Sequence, residues 1–357
     1  MNNKKVKKIL YGFLKLFSLK LLRKDNKVEV YFLKSKLVEI DNTDFDGKIK
    51  FGFFSLPFFF NKILLNRVRK EIAKSKLESI ENIIFLKGHA GEVSIFLSLF
   101  FNSFVKNKPL KNILFVGYHP YHEDIVNSFF INANFIYLPS LLINFLPFSF
   151  QYKGIRYSTI FPFSYFQVFE EQNHLDYISY MANYLGEVPM SKFLPISLND
   201  KKRDYRREKF QNEFVIIFPE SQSCNPDDLF LDDVVSIVRA SGLDFIINTR
   251  KPGPNNLFLD VKDLPYLVKR AKGIIAIRNG IVDFLLPLQK PVFLFYTGFP
   301  FREKSLPEVS AIKVHKLFSL ANVPQYHAYY KEVVIEDSNN KETKFSELKE
   351  WLKVIKQ

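Results

Sequence analysis

The stretch from Asp263 to Tyr296, DLPYLVKRAKGIIAIRNGIVDFLLPLQKPVFLFY, constrains the fold more than any other part of this chain. Leu264, Leu267, Val268 and Ala271 recur at helical spacing and define one apolar face. Gly273 is expected to break that helix. Ile274 to Ile277 is then a short, continuous apolar run of the kind parallel strands show when both faces are covered. Arg278-Asn279-Gly280 turns the chain, a second helix runs from about Ile281 to Pro287, and Pro291 opens a strand from Val292 to Phe295. In open α/β sheets, ligands gather outside the carboxyl ends of strands, where helix N-termini present N–H groups to anions. The turn from Arg278 to Asp283 is therefore the best-placed polar cluster in the chain.

The same alternation occurs upstream. Ile83 to Leu86 reads as a strand, and Lys87-Gly88-His89-Ala90-Gly91-Glu92 turns into an apolar helix through Val105. Ile113 to Val116 leads through Gly117-Tyr118-His119-Pro120 into a helix near Glu123. Phe135 to Leu138 and Ile155 to Ile160 read as further strands, and Leu175 to Leu185 has helical spacing. Between Gly186 and Glu208 the character changes to proline, polar residues and the basic run Lys201 to Arg207. That predicts a hinge whose basic run is a solvated face rather than a nucleic-acid surface. The pattern then restarts with a strand, Phe214 to Phe218, ending in Pro219-Glu220-Ser221-Gln222-Ser223. A helix from Leu231 to Ala240, ended by Gly242, and a strand from Phe245 to Ile247 follow, before Asn248-Thr249-Arg250-Lys251. Leu348, Trp351, Leu352 and Ile355 share one face of a closing helix. Strands alternating with helices imply parallel sheets with crossover connections. The expected organisation is an N-terminal extension over 1–80, α/β domains over 81–195 and 213–335 joined by a hinge at 196–212, and a terminal helix over 336–357.

A chain of 357 residues suits two or three domains. Its formal charge of +14 suits anionic partners: a phospholipid surface, a nucleotide diphosphate or nucleic acid. The basic residues are dispersed and match no nucleic-acid-binding module, which argues against the last. Cys224 is the only cysteine, so no disulfide framework exists, and a reducing, cytoplasmic setting is expected. No run approaches the ~18 apolar residues of a membrane span. Residues 4–24 instead predict an amphipathic helix, with Val6, Leu10, Phe13, Phe17 and Leu21 on one face and lysines flanking it. Two uses fit it: an anchor on an anionic membrane surface, or a helix packed on the protein itself. Residues 28–60 hold extended-looking pieces that fit no simple pattern. Within them, Asp44-Phe45-Asp46 has D-x-D spacing but sits in a polar turn with no strand before it. His119 and His122 lack a third ligand, so no metal site is expected.

Two segments carry a resemblance. IIFLKGHAGEVSIFLSLF is similar to the opening strand, Gly-Asp turn and helix of the bacterial heptosyltransferase-like and capsular polysaccharide glycosyltransferases. The segment after Phe214, with its FPESQS turn and LVKRAKGIIAIRNGIVDFLLPLQKPVFLFY, resembles the second half of that family. The similarity spans roughly Asn82 to Tyr296. It implies a GT-B-like α/β fold, with two Rossmann-like domains facing across a cleft and an N-terminal amphipathic extension added. This chain departs from the family pattern at two turns. Gly91-Glu92 stands where Gly-Asp is usual, and Arg278-Asn279-Gly280 is followed by Asp283 where a histidine is usual.

The resemblance implies transfer of a sugar from a nucleotide-sugar to a glycan or lipid-linked acceptor in bacterial capsule or lipopolysaccharide assembly, inverting, without cofactor or metal. The setting would be cytoplasmic, peripheral on the inner face of the membrane. Such chemistry needs a base for the acceptor hydroxyl. Glu92 is the first candidate and His89 the second, although Glu92 could equally cap its helix. The departing diphosphate needs cationic and N–H groups. Arg278, Asn279, Gly280, Ser221, Ser223, Arg250 and Lys251 are the donor-side candidates, with Asp283 either holding Arg278 or taking a ribose hydroxyl. A buried Arg278–Asp283 pair with a purely structural role is the alternative. Transfer of another group, such as pyruvyl, on the same scaffold and a non-catalytic basic protein bound to membrane or nucleic acid are the competing functions.

Overall fold

The computed structural model describes residues 80–106, 108–138, 155–160, 176–198, 213–220, 228–298 except 252 and 254, 309–335 and 341–357. It adds the backbone of residues 19–24, 27–32, 35–41, 49–51 and 149–152 and a few positions between 66 and 73. The D-x-D turn at 44–46, the basic run at 201–207, Ser221 and Ser223 lie outside the described residues, as do residues 1–18.

The first strands are β1 (Leu19–Lys24), β2 (Lys27–Phe32), β3 (Ser35–Asp41) and β4 (Ile49–Phe51). They pair in chain order as an antiparallel sheet. The helix expected over 4–24 therefore gives way to a strand at its carboxyl end. Leu19–Lys24 finds backbone partners in β2, the next strand along the chain, and that hairpin pairing overrides the helical spacing of its apolar residues.

A five-stranded sheet follows, from β5 (Asn82–Leu86), β6 (Ile113–Gly117), β7 (Asn134–Tyr137), β8 (Ser149–Tyr152) and β9 (Ile155–Ile160), in the order β7-β6-β5-β9-β8. All its pairings are parallel except β8 with β9 at the edge. β5 and β6 are buried at every position, as their unbroken apolar runs require. Ile83, Phe85, Leu114, Val116 and Tyr157 form the core on one side.

The second sheet is wholly parallel: β10 (Phe214–Phe218), β11 (Asp244–Ile247), β12 (Gly273–Ile277), β13 (Val292–Tyr296) and β14 (Tyr330–Val334), ordered β11-β10-β12-β13-β14. β14 was not evident in the sequence. It is an edge strand with Lys331 and Glu332 inside it, so it lacks the apolar run that marks its neighbours.

The helices are α1 (Ala90–Ile95), extended by a π turn at Phe96–Phe100 into α2 (Phe101–Val105); α3 (Pro120–Phe129); α4 (Tyr177–Leu185); α5 (Asp228–Ala240); α6 (Leu264–Arg270); α7 (Gly280–Leu285); α8 (Ala311–Phe318); and α9 (Lys341–Lys356). Leu348, Trp351, Leu352 and Ile355 of α9 pack with Val234 and Val238 of α5 on β10, β12 and β13. Each such fully buried side chain stabilises the fold by roughly 1.5–3 kcal/mol. Gly273 does not end α6, which stops at Arg270; it opens β12. A Cβ there would lie 2.7 Å from the Trp351 ring, so the indole, not the helix end, requires glycine.

The chain divides into two compact units. One holds residues 1–88, 108–119 and 133–164; the other holds 89–107, 120–132 and 165–357. Helices α1 to α3 thus belong with the second sheet's unit, although in sequence they follow β5 and β6. Within that unit, residues 187–197, which lead into the expected hinge, form an anchored strap. Met190 N–H donates to Leu99 O at 2.7 Å, Leu194 N–H to Ser98 O at 2.8 Å and Ser197 N–H to Ser128 O at 2.7 Å. Gln325 Nε2 donates to Met190 O at 2.8 Å.

Candidate functional site

The order of the second sheet changes direction at β10, with β11 on one side and β12 on the other. Strand order of this kind opens a crevice at the carboxyl ends of the two central strands. Glu220 follows β10 there and Asn279 follows β12. Asn279 Nδ2 donates to Glu220 O at 3.1 Å, joining the two loops. Thr249, after β11, donates its hydroxyl to Glu220 Oε1 at 2.6 Å. Arg250 and Lys251 are exposed beyond the same strand, with the Arg250 guanidinium 4.3 Å from the centre of the Phe258 ring.

Asn279 is the N-cap of α7. Its Oδ1 accepts from Ile281 N–H at 3.0 Å and Val282 N–H at 3.2 Å, satisfying donors the short helix would otherwise leave open. Gly280 is required for another reason: a Cβ on it would stand 2.5 Å from the Gly91 nitrogen. A Cβ on Gly91 would in turn lie 2.6 Å from Asp283 Oδ2. The first turns of α1 and α7 therefore meet glycine to glycine, and this contact brings Glu92, Arg278 and Asp283 together. The sequence placed Glu92 and Arg278 in separate domains; both belong to one compact unit, and both side chains are buried there.

Arg278 and Asp283 form a bidentate pair. Nη2 donates to Oδ1 at 2.5 Å and Nη1 to Oδ2 at 3.0 Å, with both side chains 8% exposed. Arg278 Nη1 also donates to Asn279 O at 2.8 Å and Nε to Phe318 O at 3.2 Å. Four of the five guanidinium N–H groups are thus committed within the protein. The arrangement is that of the buried-pair alternative: the guanidinium is held by Asp283 and two backbone carbonyls. Burial pushes the Asp283 carboxyl up, while the guanidinium beside it pulls it back down.

Glu92 lies 2% exposed in the first turn of α1. Burial pushes its carboxyl up to about 8. Backbone N–H donation from Glu92 itself and the negative Asp283 act next, in opposite directions, followed by the His89 N–H and Arg278, which pull it down. The reach back to His89, the N-cap residue, is one half of a capping box, so the helix-capping role also holds. His89 itself is exposed, with extended backbone.

Several participants were not legible beforehand. Tyr177, in the first turn of α4, is buried, and its hydroxyl is raised well above the ordinary tyrosine value by burial and then by Glu92 and Asp283. Glu332 of β14 accepts from Tyr296 at 2.6 Å, Ser319 Oγ at 2.6 Å and Leu320 N–H at 2.8 Å. Neither residue lies in a recognisable motif; only their burial in the folded chain singles them out. Among the described residues, no group of three His, Cys, Asp or Glu side chains is placed to hold a metal ion, and no helix is long and apolar enough to cross a membrane.

Solved structures similar to this chain include glycosyltransferases. The dodecameric iron-containing heptosyltransferase TibC in complex with ADP-D-β-D-heptose is 15% identical, with 61% of this chain and 59% of that chain covered and a TM-score of 0.38. TibC from enterotoxigenic E. coli H10407 gives 13%, 76%, 64% and 0.40 in the same order. The family 9 glycosyl transferase from Veillonella parvula gives 11%, 75%, 89% and 0.35. The chain thus spans less than two thirds of the length of the two TibC structures. No protein-family pattern matches the sequence, and no curated protein matches it either.

Proposed function

We propose that the protein is a glycosyltransferase that moves a sugar from a nucleotide-sugar to a glycan or lipid-linked acceptor in bacterial surface polysaccharide assembly. The observation that carries this reading is the all-parallel second sheet, whose carboxyl-edge crevice between β10 and β12 is bordered by Glu220, Thr249 and Asn279 with two exposed cations beyond β11. Such an edge suits a nucleotide diphosphate. Arg250 and Lys251 supply the positive charge, since Arg278 is committed elsewhere. In the inverting step, the acceptor oxygen forms a bond to the anomeric carbon, the bond from that carbon to the diphosphate breaks, and the acceptor proton passes to a base. Glu92, pushed up to about 8, has the proton affinity such a base needs near neutral pH, provided the Gly91–Gly280 contact parts to admit the hydroxyl. His89, already exposed on the same turn, is the second candidate for this role. The GT-B division into an acceptor-side and a donor-side domain, the independence from metal and the peripheral attachment to the inner face of the membrane through the basic N-terminal segment belong to this proposal.

The test is a panel of nucleotide diphosphates and nucleotide-sugars. A ligand at ~100 times its dissociation constant adds roughly 2.7 kcal/mol to the stability of the fold it binds. Stabilisation by one nucleotide series, followed by transfer from the matching sugar in excess chelator, is expected. Stabilisation by none of them overturns the reading.

A further inference from the structure

The loop after β11 carries an aromatic ring whose exposure the fold does not require. Phe258 is 47% exposed, although the backbone on both sides of it is fixed. Leu257 N–H donates to Ile247 O at 2.9 Å, and Leu259 N–H donates to Asn248 Oδ1 at 3.0 Å. Ile247 N–H donates to Asn255 O at 3.0 Å, so residues 255–257 run parallel to the end of β11 like a further strand. Asn256 Nδ2 donates to Lys251 O at 3.0 Å and Lys251 N–H donates to Thr249 Oγ1 at 3.2 Å, which closes the loop on itself. These bonds hold Phe258 at the carboxyl end of β11.

A single exposed aromatic ring is ordinary on a protein surface. The surroundings distinguish this one. The Arg250 guanidinium lies over the ring, its carbon 4.3 Å from the centroid, and Arg250 is itself exposed. A guanidinium at that distance covers one ring face, so the exposed area belongs to the other face and the edges. Thr249, next to Arg250, donates to Glu220 Oε1 beyond β10, and Asn279 beyond β12 donates to the Glu220 carbonyl. Hydrogen bonds therefore tie the Phe258 loop to both loops that border the crevice. A flat apolar surface with a cation against it, beside a crevice suited to a diphosphate, matches the parts of a nucleoside diphosphate: a planar base and an anionic tail.

We propose that Phe258, braced by Arg250, is the stacking platform for the base of a nucleoside diphosphate. The inference rests on the nucleotide-sugar reading above and adds the residue on which the base lies. The pinned backbone and the guanidinium over one face fix the ring plane before the ligand arrives, so little side-chain freedom is lost on binding. Stacking on a phenyl ring uses the π face that every base has. Phe258 therefore supplies affinity for purine and pyrimidine nucleotides alike.

The experiment measures binding of ADP, GDP, UDP and CDP to the full chain by isothermal titration calorimetry, with pyrophosphate as the probe that lacks a base. Phe258→Ala should weaken the tightest-binding nucleotide by roughly 5- to 150-fold and change pyrophosphate binding less than about twofold. Phe258→Tyr keeps the plane and should keep the affinity, whereas Phe258→Leu is apolar without a π face and should lose most of it. A second readout uses Phe258→Trp, with wild-type emission from buried Trp351 subtracted. The new emission should be quenched by the nucleotide and left unchanged by pyrophosphate. Undiminished nucleotide affinity in Phe258→Ala, an equal loss for nucleotide and pyrophosphate, or full affinity in Phe258→Leu overturns the platform and leaves the nucleotide-sugar reading standing. Failure of all four nucleotides to bind the wild type overturns that reading and the platform with it.

Discussion

Replacing Glu92 by glutamine removes one titratable proton from the buried cluster and nearly nothing else. Folding should then depend on pH in a calculable way. The wild-type carboxyl is pushed from its ordinary 4.5 up to about 8 by folding. Between those values the folded chain keeps a proton that the unfolded chain has released. Stability from this group is therefore complete below pH 4.5, declines as pH rises toward 8 and levels off above it. At about 1.4 kcal/mol per pH unit, the whole interval has a ceiling of about 5 kcal/mol. Glu92→Gln lacks that decline. Its stability relative to the wild type should climb by at least ~2 kcal/mol between pH 5.5 and 8.5, because other groups titrate alike in both proteins and cancel. Urea unfolding followed by Trp351 fluorescence reports it directly: Trp351 is the only tryptophan, is fully buried and belongs to the same compact unit as Glu92. A stability difference between the two proteins that stays flat across this pH range would refute the reasoning, since Glu92 would then be ionised in the folded state as it is in the unfolded one.

Three further outcomes follow from the same geometry. Arg278→Ala leaves Asp283 buried without its guanidinium and should cost about 3–5 kcal/mol in chemical denaturation, with Arg278→Lys recovering part of the loss because it restores charge but not the fork; a loss under 1 kcal/mol would show the pair to be dispensable. Gly280→Ala drives a Cβ into the Gly91 backbone and should lower stability by about 1–3 kcal/mol, whereas alanine at Gly186, which has open space but a φ of +65°, carries only backbone strain. Asn279→Ala removes the cap of α7 and the bridge to Glu220, for a loss of about 1 kcal/mol or somewhat more by the same denaturation assay.

The central strands of both sheets and most of the helices between them were readable because their physics is local, whereas β8, β14 and α8 were not. Ile83–Leu86, Phe214–Phe218 and Ile274–Ile277 are apolar at every position, which only a strand covered on both faces tolerates, and the helices between them carry one apolar stripe. The turns that follow those strands were readable too, since glycine and asparagine at Gly91, Asn279 and Gly280 mark places where the chain must bend closely. Where pairing decides the state the sequence misleads: Leu19–Lys24 has helical spacing yet is a strand in a hairpin with β2, and polar β14 is held in place by the distant β13 rather than by its own pattern. The candidate site follows the same division. Residue types alone nominated Glu92, Arg278 and Asp283. Only the packing of α1 on α7 decided that these three are buried in one compact unit and that Arg278 is committed to Asp283. That burial arises from residues 186 to 191 positions apart in the chain, and no window of sequence contains them.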